Sequence, residues 1–324
     1  MELLQNSIPM VFLAVSAAAL YARAASSCVR PGFPRLLALL PVAALLAAAP
    51  LAFPFANIRG LTGFFLGWLG VFKILLFAAG RGPLEPNLPA HQFLFVAALP
   101  VKLADRHRRL AALLQAYKFV DQLHLYMRLA LYGVHIYCFF DLLLPCISAV
   151  GAALGMEMEP QFDRPYMASS LRDFWGRRWN LVVSAILRPS VYEPLRDAHA
   201  GKAAAAIATF LVSGLMHEAM VCYITLRSPT GEMAAFFLLH GACCVAEQLC
   251  VQWWVARGWP RPPRPVATVL VGVFVAGTAF WLFFPPICRD GSEERLLEEW
   301  AALAEFITGT GRNLSGMFSS VNNS

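Results

Sequence analysis

The 324-residue sequence predicts an all-α protein, a polytopic membrane helical bundle with roughly seven to nine membrane segments of about twenty residues each. Three observations predict it. Hydrophobic residues make up 58% of the chain and charged residues only 14%, with a mean hydropathy of +0.58, whereas a soluble domain is nearer half apolar and a quarter charged. The apolar residues gather into runs of membrane-spanning length. The net charge of +6 is carried by arginines clustered between those runs, the pattern of loops that flank membrane spans. A nucleic-acid surface would instead need a contiguous basic face, so nucleic acid is excluded as a partner and membrane lipids are expected around the bundle.

Taken in order, residues 8–20 are apolar, end in alanines and precede Arg23. A secretory leader would have that length, but Glu2 stands where its basic segment belongs and further spans follow, so this is read as a first membrane helix. Residues 36–53, rich in Ala and Leu, form a second span. Residues 61–79 form a third, interrupted by Lys73, with Gly60, Gly63, Gly67 and Gly70 on nearby faces that permit close helix contact. After the Gly82-Pro83-Leu84-Glu85-Pro86 turn, the apolar run 91–101 is short for a crossing and is read as re-entrant or interfacial. Residues 106–124 read as an amphipathic interfacial helix. Residues 126–150 span again and contain His135 and Asp141. The spans 203–226, 233–255 and 266–285 follow, then an acidic amphipathic helix over 293–307 and a polar tail.

No internal repeat or domain boundary is visible. One membrane-embedded unit is expected over 1–324: membrane helices in 1–155, a polar loop and the helices after it in 156–290, and a tail from 291 to 324. The eight cysteines form no C-x-x-C pair and mostly lie in apolar runs, so neither a zinc site nor a disulfide framework is expected. If the last three spans all cross, the 162–194 segment shares a side with Arg257, Arg261 and Arg264, which favour the cytosol. The tail, with Asn313 and Asn322 in glycosylation sequons, is then lumenal. The basic 23–35 connection also favours the cytosol, and parity then requires a further crossing near 91–101.

The chemistry concentrates in FDRPYMASSLRDFWGRRWNLVVSAILRPSVYEP, residues 162–194, and in the helix behind it. On that helix Thr209, Ser213 and His217 are spaced four apart and share one face. Glu218 lies beside the stripe, one turn beyond Gly214. A charge-capable pair at membrane depth is costly and usually faces a bundle interior or a wet cavity. Several familiar chemistries fail: Val221 breaks the zincin pattern that His217-Glu218 begins, no G-x-S-x-G elbow exists, and no histidine has the H-x-x-x-x-D spacing. A single histidine suffices where a hydroxyl attacks a thioester, taking the alcohol proton and returning it to the leaving thiolate. An Asn side chain such as Asn180, or a backbone N–H, can meet the oxyanion. The opposing reading of an isolated membrane histidine is a hydrogen-bonded packing residue.

The residues also carry a resemblance. Phe162-Asp163-x-Pro165, Ser170-Leu171-x-Asp173-Phe174-Trp175-Gly176-Arg177-Arg178-Trp179-Asn180, Leu187-Arg188-Pro189 and Val191-Tyr192-x-Pro194 resemble the signature of the plant wax synthases, a branch of the membrane-bound O-acyltransferases. Ser213-Gly214-Leu215-Met216-His217-Glu218, Leu239-His240-Gly241 and the early Gly82-Pro83-Leu84 extend it over nearly the whole chain. The resemblance implies a multi-pass endoplasmic-reticulum enzyme that moves an acyl group from acyl-CoA, its co-substrate, to a lipid alcohol, with no further cofactor. It places the family's essential histidine at His217 and its motif asparagine at Asn180. Acceptors among such enzymes include long-chain alcohols, sterols, and diacylglycerol with acetyl-CoA.

Other candidates have a structural alternative. Arg172, Arg177, Arg178 and Arg188 suit CoA phosphates, or structural pairs with Asp163, Asp173 or Glu193. Trp175 and Trp179 suit the wall of an acyl tunnel, or an interfacial belt. Ser213 and Glu218 are placed with the substrate because of the His217 stripe. His240 and Glu247, seven apart on one face, either line the chamber or pack internally. The sequence leaves oligomeric state open, and a transporter is disfavoured because no paired broken segments appear.

Overall fold

The computed structural model describes residues 2–98, 151–155, 162–260 and 262–289, with positions 124, 127, 133, 292, 295, 296, 298 and 299. The described part is helical. Helix α1 (Glu2–Cys28) pairs with α2 (Phe33–Ala48), and the third span runs from α3 (Ala56–Thr62) through a π-helical stretch (Gly63–Gly70) into α4 (Val71–Ala78). After α5 (Ala90–Ala98) come the polar segment 162–194, which contains α6 (Leu181–Leu187), and three long helices: α7 (Lys202–Thr225), α8 (Glu232–Ala256) and α9 (Arg264–Thr278). Among the described residues, six helical stretches are long and apolar enough to cross a membrane: Ser7–Cys28, Phe33–Ala52, Ala56–Ala78, Lys202–Thr225, Glu232–Ala256 and Arg264–Phe283. Four of them match the spans expected from hydropathy to within three residues, whereas the first runs on to Cys28, eight residues past its expected end, and the third starts at Ala56, five residues before its expected start. The expected interfacial helix 106–124 and span 126–150 with His135 and Asp141 lie outside the described residues, as do most of 293–307 and the tail.

Helix ends inside an apolar bundle leave carbonyls unpaired, and buried cations meet them here. Arg35 donates to Ser26 O, Val29 O and Phe77 O, tying the ends of α1 and α4 together. Arg59 donates to Tyr223 O and Ile224 O at the end of α7, and to Phe53 O and Pro54 O. Both guanidiniums are buried, and a cation at a helix C-terminus also meets the negative end of the helix dipole. Lys73 points inward and donates to Val96 O at 2.8 Å, joining the third span to α5.

These contacts sort the connections by end. Gly32 N donates to Ala78 O and Arg23 to Pro86 O, and α4 packs on the 188–192 turn. The 23–35 connection, the 80–86 turn and the polar segment therefore share one end of the bundle. Ser7, bonded to Ala52 O, and Tyr223, bonded to Ala47 O, mark the other end.

The glycines of the third span accommodate Tyr223: a Cβ at Gly63 would lie 2.6 Å from its ring. Helices α7 and α8 interlock more closely still. A Cβ at Gly214 would lie 2.8 Å from Ala234 Cα, and one at Gly241 would lie 2.9 Å from Phe210 Cβ. Small residues allow the two backbones to approach in the absence of a hydrophobic drive between membrane helices. That approach sets the site.

Candidate active site

His217 lies midway along α7. Its Nδ1 is 2.8 Å from the carbonyl oxygen of Ser213, one turn earlier. A carbonyl only accepts, so Nδ1 carries the proton and the neutral ring presents Nε2 as a lone pair. Among the described residues Nε2 has no protein partner. Aromatic rings hold the imidazole in place: Phe237 of α8 stacks on it at 4.1 Å and 29°, Trp68 meets it at 4.9 Å and 75°, and Phe283 at 5.9 Å. Trp68 and Phe283 both come from π-helical stretches (Gly63–Gly70 and Ala279–Phe283), a helix form frequent at functional sites.

The ring faces a cavity of about 2610 Å³ that runs among the polar segment, α6, α7, α8 and α9. That exceeds the roughly 300–1,000 Å³ of a usual small-ligand pocket. Of the residues expected at the site, Trp175, Arg177, Arg178, Trp179, Asn180, Ser213 and His217 all line it. Glu218 and His240 do not.

The polar segment folds as a chain of capped turns. Ser170 Oγ accepts from Asp173 N at 2.9 Å, capping the Leu171–Asp173 turn. The π turn Phe174–Arg178 follows. Asn180 sits in the left-handed region (φ 46°, ψ 63°), which asparagine tolerates better than most residues. Its Oδ1 caps α6 by accepting from Val183 N at 3.3 Å. Its Nδ2 has no protein partner among the described residues. Ser213 Oγ is likewise uncommitted there, whereas Thr209 Oγ1 donates to Ala205 O. The cavity thus offers two spare donors near the histidine helix.

The two motif arginines part ways. Arg178 donates to Asp173 Oδ2 at 2.7 Å and to Asp163 O at 3.2 Å, closing the loop on itself. Arg177 is exposed and makes no such bond among the described residues. Arg188 pairs with Glu193. With Arg164, Arg172, Lys202 and Arg264 also on the wall, against Asp163, Asp173 and Glu247, the cavity is electropositive. Trp179 stacks on Phe174 at 5.4 Å and 14°.

Glu218, 5% exposed, accepts from Thr230 N and Ala234 N, both at 3.2 Å. It is a carboxylate on the N-terminus of α8, where the helix dipole favours it. His240 is fully buried between Trp175 Nε1 and Thr278 Oγ1. Glu247 accepts from Leu171 N and Arg172 N, so it anchors the polar segment on α8. Sequence reasoning missed Phe237, Trp68 and Phe283 as the walls of the histidine. Only the glycine-flanked Trp68 in GFFLGWLG and the offset of Phe237 from Gly241 on α8 hinted at them.

Residues 158–239 match the family described as membrane bound O-acyl transferase family. Acyl-CoA--sterol O-acyltransferase 1 of Arabidopsis thaliana is 36% identical over 316 residues, covering 88% of this chain and 91% of that protein. Two other proteins of the same plant, "Probable long-chain-alcohol O-fatty-acyltransferase" 3 and 6, are each 38% identical, over 308 and 315 residues. These matches cover 87% and 89% of this chain and 90% of each relative.

Proposed function

Because the chain belongs to the membrane-bound O-acyltransferase family, we propose that this multi-pass membrane O-acyltransferase transfers the acyl group of acyl-CoA to a long-chain fatty alcohol, giving a wax ester. The observation that carries the mechanism is the His217 tautomer: Nδ1–H is held by Ser213 O, which leaves Nε2 as the lone-pair nitrogen of a ring that lines a cavity with two spare donors.

Nε2 takes the hydroxyl proton as the alcohol oxygen bonds to the thioester carbon. The carbonyl oxygen becomes an oxyanion, met by Ser213 Oγ–H and Asn180 Nδ2–H. The Ser213 carbonyl stabilises the imidazolium through Nδ1–H. Collapse breaks the carbon–sulfur bond, and the thiolate takes the proton back from Nε2. The acyl group never bonds to the protein: the histidine bonds to the Ser213 carbonyl and not to its hydroxyl, which leaves that serine unactivated as a nucleophile. Apolar walls exclude the water that would otherwise hydrolyse the thioester. Arg177, Arg172, Lys202 and Arg264 offer the CoA phosphates their charge. Their end of the bundle is the basic one, which supports a cytosolic mouth in the endoplasmic-reticulum membrane.

A sterol acceptor is the second reading, supported by the 36% identity to the sterol acyltransferase. A microsome assay with labelled acyl-CoA and matched fatty alcohols, sterols and diacylglycerol separates them. Wax ester as the main product is expected. Steryl ester alone would replace the first acceptor with the second, and no ester with any acceptor would sink both.

A further inference from the structure

His240 sits 23 residues beyond His217, outside the cavity, yet both of its ring nitrogens are committed. Trp175 Nε1 lies 3.0 Å from Nδ1, and an indole N–H only donates, so Nδ1 is the acceptor. The remaining proton is therefore on Nε2, which donates to Thr278 Oγ1 at 2.9 Å. The threonine hydroxyl in turn donates to Phe274 O at 2.7 Å. The chain of bonds runs from the polar segment through α8 into α9 without an unmatched donor or acceptor. His240 is 0% exposed, with Phe236 and Phe274 against its ring at 4.3 and 5.1 Å. A polar ring in such surroundings is costly unless both nitrogens are bonded, and here they are.

The far end of that chain is the cavity wall. Trp175 meets Phe237 at 5.5 Å and Phe210 at 5.9 Å, and Phe237 in turn stacks on the imidazole of His217 at 4.1 Å. One helix thus carries both the ring that stacks on His217 and, three residues later, the ring that fixes the indole beside it. A second anchor lies two turns further on, where Glu247 accepts from Leu171 N and Arg172 N.

We propose that His240 is a positioning residue for acyl transfer: locked as the Nε2–H tautomer, it fixes the Trp175 indole that buttresses Phe237 against His217. It touches no substrate and exchanges no proton. Its effect is on the geometry of the base, where a displacement of about 1 Å can cost on the order of a hundredfold. The inference rests on the acyltransferase reading.

The test uses full-length protein, quantified in the same membranes, with the acyl-CoA and acceptor that the wild type uses. His240→Leu keeps the volume and removes both bonds. It is expected to lower kcat by tenfold or more while the apparent KM for acyl-CoA moves less than threefold. His240→Gln, which offers Trp175 an acceptor and Thr278 a donor, is expected to recover most of the loss. Trp175→Phe removes the donor together with one ring of the indole and is expected to lower kcat as well, and His240→Leu should then cost little more, since the two act as one unit. A role in folding alone would lower abundance or melting temperature and leave kcat per folded molecule intact. Should His240→Leu fail to accumulate, the Trp175→Phe variant decides by itself. Wild-type kcat in His240→Leu or in Trp175→Phe overturns the proposal, as does a glutamine variant no better than leucine at wild-type abundance. If wild-type protein makes no ester with any acceptor, the acyltransferase reading fails instead, so the two failures are distinct.

Discussion

Asn180 joins the backbone and the chemistry in one side chain: Oδ1 caps α6, φ is 46°, Nδ2 has no protein partner among the described residues, and the residue lines the cavity. Substituting alanine removes the cap, strains the left-handed backbone and deletes the donor together. Asn180→Asp keeps the cap acceptor and a residue tolerated in that region, and replaces the N–H donor by a carboxylate oxygen. It is expected to insert and accumulate as wild type while transfer falls about 10² to 10³-fold, the usual cost of one oxyanion donor. Full transfer by the aspartate variant would reduce Asn180 to a cap. The candidate histidine was legible in the sequence because Thr209, Ser213 and His217 share a helix face, and the resemblance pointed to Asn180. The roles of Glu218 and His240 were not. Each is decided by partners 12 to 65 positions away, Thr230 and Ala234 for one, Trp175 and Thr278 for the other, and periodicity carries no information about such pairs.

At the scale of elements, the polar segment is a set of π and capped turns whose ends Arg178 sews together, while Arg177 projects outward. Sequence reasoning grouped the two arginines; their neighbours separate them. Arg177→Gln is expected to raise the apparent KM for acyl-CoA about tenfold, the effect of losing one charge-assisted hydrogen bond of about 1.5 kcal/mol, at unchanged abundance. Arg178→Gln is expected to destabilise the loop by about 1 kcal/mol, since its pair with Asp173 is partly exposed, and to lower protein level more than donor affinity. Steady-state kinetics on both variants at matched protein checks the split; equal donor constants in the two would refute it. Four of the long helices were legible to within three residues because twenty apolar residues in a row have few alternatives, while the first ran on through the polar 23–28 stretch and the third began five residues early. The crossing of α7 and α8 was legible only in part. Gly214 and Gly241 announce close packing, but which surfaces meet, and hence that Phe237 lands on His217, depends on the tertiary approach.

For the whole molecule, the ends of the bundle differ in charge. The end with the polar segment carries Arg164, Arg172, Arg177, Arg188, Lys202 and Arg264, and α9 runs from it toward the opposite end, where Arg289 pairs with Glu232. Chain sidedness of this kind predicts that a tag placed directly after residue 289 is protected from protease in sealed microsomes and cut once detergent is added. Digestion without detergent would reverse the orientation. The central claim, that the His217 imidazole is the base for direct transfer from acyl-CoA to a lipid alcohol, is tested most directly by one measurement. Ester formation from labelled acyl-CoA is followed in membranes holding wild type or His217→Ala at equal abundance. A loss of about 10² to 10⁴ is predicted, to the background of untransformed membranes, with normal insertion of the variant. Ester formation by His217→Ala at the wild-type rate would contradict the account.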